Sequence, residues 1–255
     1  MHILVTNDDG VHAAGLMALA NALQSLGRVT ILAPDRNWSA SGHVKTLERP
    51  LRVRETRLTD GTPAFCTDGA PSDSVALALL GFVPEKVDLV VSGINPNANV
   101  GHDVTYSGTV TAAMEAAIAG INGIAVSVDR PEDYFGPIDY TAAAQAAVVV
   151  ARKVMEQQLS PNIVMNVNVP YCAFEDFKGF QVTRMGLRIY RDALVSREDP
   201  RGRPYYWIGG ETPIGKEEDG TDYGALKKGY VSITPIQLDL TAHQFIQPLQ
   251  DWQWK

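Results

Sequence analysis

Two adjacent aspartates, Asp8 and Asp9, follow a short apolar run, Ile3-Leu4-Val5, and precede Gly10. Neighbouring residues on a strand point to opposite faces, so both carboxylates serve one site only if the strand ends near Thr6 and the turn swings them together. Gly10 permits such a turn. Carboxylates this close repel, and one takes up a proton unless a cation intervenes. Joined by a hydroxyl and an amide oxygen, they make a hard donor set suited to Mg2+, Mn2+ or Ca2+. The competing reading is an Asx-rich turn in which one aspartate caps the next helix.

Three more segments carry candidate chemistry. Asp35-Arg36-Asn37-Trp38-Ser39-Ala40-Ser41-Gly42 is rich in short oxygen-bearing side chains. Ser92-Gly93-Ile94-Asn95 leads into Asn97 and Asn99. Asparagines favour turns, so one amide oxygen reaching a metal is the expectation and the rest are structural. Tyr106-Ser107-Gly108-Thr109-Val110 runs into a helical pattern, with Ser107 as N-cap candidate. Its exposed amides and hydroxyls are either an anion site at a helix N-terminus or an ordinary capped helix. The five histidines show no metal-ligand spacing. His12 and His43 lie in candidate site loops and are open as acids or bases, and Trp38 is open as a stacking or core-covering ring. No Walker loop, dinucleotide fingerprint or Gly-x-Ser-x-Gly elbow is present.

The elements around these loops alternate. Strands are expected at residues 3–5, 29–32, 87–91, 124–128 and 163–169, with helices over 13–26, 71–80, 109–119 and 140–159. That alternation gives parallel crossovers and a doubly wound, Rossmann-like α/β sheet with helices on both faces. In such a sheet ligands bind beyond the carboxyl ends of the strands, where the oxygen-rich loops fall. After residue 180 the helical period fades into short strand-like pieces at 181–183, 205–208 and 230–233. A hairpin arm, a return strand and a short helix over 242–248 are expected there. The domain reading is therefore an α/β body over 1–180 and an arm over 181–255.

Composition narrows the class. Of 255 residues, 45% are apolar and 20% charged, a globular balance. No apolar run approaches the roughly 20 residues that span a bilayer, and the start lacks the basic region of a signal peptide. The two cysteines, Cys66 and Cys172, are far apart in sequence. A reducing cytoplasmic setting is expected, with both as small core residues. The net charge of −7 argues against a nucleic-acid duplex or an anionic membrane as main partner. That charge is uneven: residues 1–180 hold 12 basic and 19 acidic side chains, and residues 181–255 hold 10 of each with 9 of the 20 aromatics. An aromatic segment of no net charge suits either a subunit contact or packing on its own body.

Taken in order, Ile3-Leu4-Val5-Thr6-Asn7-Asp8-Asp9-Gly10, Ala33-Pro34-Asp35-Arg36-Asn37-x-Ser39, Ser92-Gly93-Ile94-Asn95, Asn99-x-Gly101-x-Asp103-Val104 and Tyr106-Ser107-Gly108-Thr109-Val110 resemble the SurE (survival protein E) family of metal-dependent nucleotidases. The resemblance implies one divalent ion per subunit, Mg2+ or Mn2+ with Ca2+ possible in a crystal, held by Asp8, Asp9, Ser39 and Asn95. It implies phosphate or substrate contacts from Ser107, Gly108 and Thr109, together with Asn7, Gly10, Ser41, Gly42 and Asn99. The substrate would be a 5′- or 3′-nucleotide, with short polyphosphate a further option. Asp8 and Asp9 would be the catalytic residues, Asp9 orienting a water. The tail would be the family's arm, exchanged between copies of a dimer or tetramer. Asn97 stands where the family often has glycine, and His43-Val44-Lys45 replaces small polar residues; both departures bear on the substrate rim. A metal-dependent nucleoside hydrolase, releasing free base, and a nucleotide-binding module without turnover are the alternatives.

Overall fold

The computed structural model describes every residue except Gln158 and Lys255, with Glu211 and Thr212 described by their backbone alone. The chain runs β1 (His2–Thr6), α1 (Ala14–Leu23), β2 (Arg28–Pro34), β3 (Val53–Arg57), β4 (Pro63–Thr67), α2 (Pro71–Leu77), β5 (Leu89–Asn95), α3 (Gly108–Ile118), β6 (Asn122–Asp129), α4 (Thr141–Glu156) and β7 (Ile163–Pro170). It continues through β8 (Phe180–Val182), β9 (Arg188–Glu198), β10 (Pro204–Gly215), α5 (Asp222–Lys227), β11 (Val231–Gln237) and α6 (Ile246–Gln250).

Among the described residues the central sheet has the order β3-β4-β2-β1-β5-β6-β7-β11-β8. The run from β4 to β7 is parallel, as the alternating pattern requires. Strands β1 and β5 are continuously buried, the signature of strands covered on both faces. One face packs on α1 and α4, whose buried stripes (Leu16, Leu19, Leu23; Ala147, Val150, Val154) recur at helical spacing. The other face is covered by α2 and α3 through Val75, Ala112 and Ala116.

The doubly wound reading holds, and several boundaries move. The helix expected over 71–80 is α2 plus a wider turn, Ala78–Phe82. The segment expected as a strand over 87–91 begins at Leu89 and extends to Asn95, carrying a candidate ligand at its end. The β3–β4 pair was not legible in the pattern because β3 is a charged edge, with Arg54, Glu55 and Arg57 exposed. One expectation is corrected: Cys66 is buried, but Cys172 is exposed. It follows Pro170 and Tyr171, where the chain has left the sheet and turns, the Cys172 N–H donating to the Pro170 carbonyl at 3.0 Å. Beyond residue 180 the sheet continues, since β11 pairs antiparallel with β7 and β8 pairs with β11. Among the described residues β9 and β10 alone stand apart, as a two-stranded antiparallel ribbon.

Candidate metal and phosphate site

The strand order reverses between β1 and β5: β1 is followed outward by β2, and β5 by β6. The crevice beyond the carboxyl ends at such a switch point is where an open α/β sheet binds ligands. Asp8 and Asp9 leave β1, Ser39 follows β2, and Asn95 ends β5. Asp8, Ser39 and Asn95 line one cavity of about 360 Å3, together with Asn99 and Ser107. Asp9 stands beside Asp8 outside that lining, near enough for the Asp8 charge to raise its pKa.

The turn is built by its own residues. The Asn7 side chain accepts from the Gly10 N–H at 3.2 Å and donates to the Gly10 carbonyl at 3.0 Å, so Asn7 closes the turn that separates the two aspartates. Gly10 takes φ +102°, and a Cβ there would press on the Arg36 backbone at 3.2 Å. The Trp38 N–H donates to the Asp8 carbonyl at 2.7 Å, drawing the Ser39 loop onto the turn.

Helix α3 is aimed at Asp8. Ser107 is the N-cap, accepting from the Val110 N–H at 3.1 Å. The Thr109 hydroxyl donates to Asp8 Oδ1 at 2.5 Å, and the amides of Gly108 and Thr109 also favour the Asp8 anion. A Cβ on Gly108 would lie 2.7 Å from the Asp8 Cβ, so only glycine lets the helix end come this close. The expected anion site at a helix N-terminus is thus partly taken by the protein's own carboxylate.

Burial pushes the Asp8 carboxyl up despite these donors. Burial, then the Asp8 charge, pushes Asp9 up to about 7. No lysine or arginine among the described residues pairs with either, so the site has an uncompensated demand for positive charge. The remaining donors complete a hard set. Asn95 donates its amide N–H to the Asn97 carbonyl, which turns its Oδ1 away, free to ligate. Ser39 has its N–H bonded to Asn37 Oδ1 at 2.7 Å, and its side chain lies in the cavity lining. No group of three or more His, Cys, Asp or Glu able to hold a metal occurs among the described residues. Two carboxylates supplemented by a hydroxyl and an amide oxygen therefore fit a single hard dication.

Other sequence candidates have structural partners. Asn99 is buried, donating from its amide to Ser127 Oγ at 2.8 Å and from its backbone N–H to Asn168 Oδ1 at 2.8 Å, which fixes the loop after β5. Gly42 donates to the Tyr106 carbonyl, tying the Ser39 loop to the loop before α3, and the Ser41 hydroxyl is buried without a hydrogen-bond partner. His43 and Lys45 both meet Glu115 on α3, at 3.0 and 2.7 Å, so His43 is a tether for this loop. The hydrogen bond from His43, and then that from Lys45, holds the Glu115 carboxyl below the usual range. His12 is exposed, and Trp38 stacks beneath the Arg36 guanidinium.

A family model described as Survival protein SurE matches residues 3–192. The chain belongs to the SurE family. It is similar to proteins named 5′-nucleotidase SurE from Chloroflexus aggregans, 51% identical over 100% of both chains, and from Herpetosiphon aurantiacus, 53% identical over 100% of this chain and 99% of that one. The crystal structure of the SurE protein from Aquifex aeolicus is 39% identical, with a TM-score of 0.82 over 98% of each chain. The SurE match ends inside β9, at the root of the ribbon.

Sequence reasoning missed a part of the cavity lining that the ribbon supplies. Asp103 and Tyr106, on the loop before α3, face Arg188 and Tyr190 at the root of the ribbon. Arg188 Nε lies 3.1 Å from Asp103 Oδ2, and the Tyr190 hydroxyl donates to Asp103 Oδ1. Burial and the Asp103 carboxylate push the Tyr190 phenol up. Only the motif positions Asp103 and Tyr106 hinted at this; residues 85 positions apart have no local signal.

Proposed function

We propose that this chain is a metal-dependent nucleotidase, releasing phosphate from nucleoside 5′- and 3′-monophosphates. The observation that carries the reading is the convergence of hard oxygen donors from the ends of β1, β2 and β5 around two carboxylates that no cation among the described residues neutralises. The names of the SurE relatives support the nucleotidase class. Asp8, Asp9, Ser39 and Asn95 would hold Mg2+ or Mn2+. Such an ion, when bound, supplies Lewis-acid polarisation of the phosphoryl group and a lower pKa for bound water.

The chain's own residues supply the rest. Thr109 and the α3 amides orient Asp8. Ser107 Oγ accepts from Val110, which leaves its O–H to donate to a phosphoryl oxygen. Among the described residues Asp9 receives one long bond, 3.4 Å, from Asn37 at Oδ1, and so offers Oδ2 to orient a water. Donors preset for the charge developing on the phosphoryl oxygens give the main rate effect.

The ribbon supports assembly into a homo-oligomer, and the free Cys66 and Cys172 support a reducing, cytoplasmic setting. A lone two-stranded hairpin is marginal in water, and this one exposes Leu194, Tyr206, Trp207 and Ile208. A monomer of the full-length chain in light scattering overturns the assembly reading. The decisive assay for the activity measures products from AMP with and without divalent metal. Phosphate that disappears in excess EDTA supports the proposal; free adenine turns it toward a nucleoside hydrolase. Metal-dependent nucleotide binding without either product leaves a binding module.

A further inference from the structure

We propose that the wall formed by Tyr106 and by Arg188 and Tyr190 at the root of the ribbon, with Asp103 positioning the latter two, holds the nucleoside half of the substrate. The inference rests on the nucleotidase reading and names the part of the cavity that reading leaves unassigned. Asp8 and Ser107 line the cavity, and the phosphoryl group belongs beside them. The same lining presents two phenol rings, 60% and 36% exposed, and a guanidinium.

The chemistry of that wall favours a planar polar group over a second anion. The Arg188 charge is matched by Asp103, so the pair is neutral together. Arg188 Nε is buried and lacks a well-directed hydrogen bond even though Asp103 is close. That atom faces Asp103, and the guanidinium as a whole lines the cavity as a planar donor group for an acceptor such as a base carbonyl, ring nitrogen or ribose hydroxyl. Tyrosine rings stack on any base, and a guanidinium plane does the same.

The wall is also built in place. The Asp222 carboxylate at the start of α5 is fully buried. It accepts from the N–H of Gly101, before the Asp103 turn, and from the N–H of Gly186, before β9, each at 2.8 Å. A Cβ on Gly101 would lie 2.6 Å from the Gly186 carbonyl, so the two segments touch backbone to backbone. One carboxylate thus fixes both halves of the wall against each other, as a preorganised binding surface requires.

The test compares AMP with glycerol phosphate, which undergoes the same reaction without a nucleoside, and adds calorimetry with adenosine. Tyr106→Ala and Arg188→Ala should each raise KM for AMP by about tenfold or more while kcat for AMP stays within about threefold, the size expected for loss of one stacking or guanidinium contact. The selectivity for AMP over glycerol phosphate falls by the same factor, and adenosine binds more weakly to both variants. Asp103→Asn shares the KM effect, and Arg188→Lys recovers part of it. Equal losses on both substrates, or unchanged selectivity, overturn the proposal; the exposed Tyr106 ring makes its alanine variant safe against misfolding. A wild-type enzyme that binds no adenosine and favours neither substrate removes the wall and leaves the phosphatase. One that binds adenosine through these residues yet releases no phosphate removes the nucleotidase reading and leaves the wall.

Discussion

The sheet around β1 and β5 and the ribbon of β9 and β10 solve opposite problems. Strands β1 and β5 bury nearly every residue, and their polar groups gather at the carboxyl ends around Asp8 and Asn95. Strand β9 buries none of its residues, and the ribbon spreads Trp207 and Ile208 into solvent. The body carries the whole net charge of −7, and residues 181–255 carry none. A self-sufficient body tolerates buried charge at one point because many apolar contacts hold that point still. The ribbon has no such reserve, and its order depends on what it touches: the site at its root and, in the assembly proposed above, a second surface at its tip.

The contrast breaks most sharply at Asp8. Asp8→Asn should lower phosphate release by about 1,000-fold, as loss of a preorganised charge at a reacting centre does. Its metal-free melting temperature should not fall, because the change removes a buried, poorly compensated charge; a lower one shows that Asp8 is structural. Asp222→Ala asks whether the ribbon root belongs to the body. Three backbone N–H groups, those of Gly101, Gly186 and Tyr223, lose a buried carboxylate, at a cost of about 3 kcal/mol or more in denaturant unfolding. A loss confined to oligomer stability would show that the root is only an interface.

The smallest effect sharpens the electrostatic half of the comparison. Asp9 is raised to about 7 from an ordinary 3.8. Between those values the folded state holds a proton that the unfolded state has lost, so metal-free stability declines as pH rises through that window. Mg2+ or Mn2+ competes for the same carboxylates, so its rise in melting temperature should be larger at pH 8 than at pH 5. At 100 times the dissociation constant that rise corresponds to about 2.7 kcal/mol. A pH-independent increment would place the metal away from Asp8 and Asp9, and the ribbon residues should contribute nothing to it.

Much of the body was legible because its signals are local. Apolar runs ending in Asn-Asp-Asp-Gly or Asp-Arg-Asn name both a strand and the loop beyond it, and the switch-point rule then gathers the loops. The roles of Gly108 and Thr109 were only half legible. A capped helix end declares that it wants an anion, but whether Asp8 or a substrate supplies it depends on a 2.7 Å approach across 100 residues. Asp222, Arg188 and Tyr190 carried no signal at all, since each acts through a partner on a different part of the chain. Helix α5 was hidden for the same reason: six residues with little periodicity, placed by the bonds Asp222 makes.

Those bonds make Asp222 a fulcrum. From it β9 extends 11 residues, about 35 Å at 3.3 Å per residue. A force or a neighbour acting on Trp207, paired with Val195 in the outer part of the ribbon, has a long lever on Asp103 and Arg188 at the near end. The tip is therefore a remote handle: a fluorophore, cross-link or surface tether attached there would report on, or bias, a cavity it never enters.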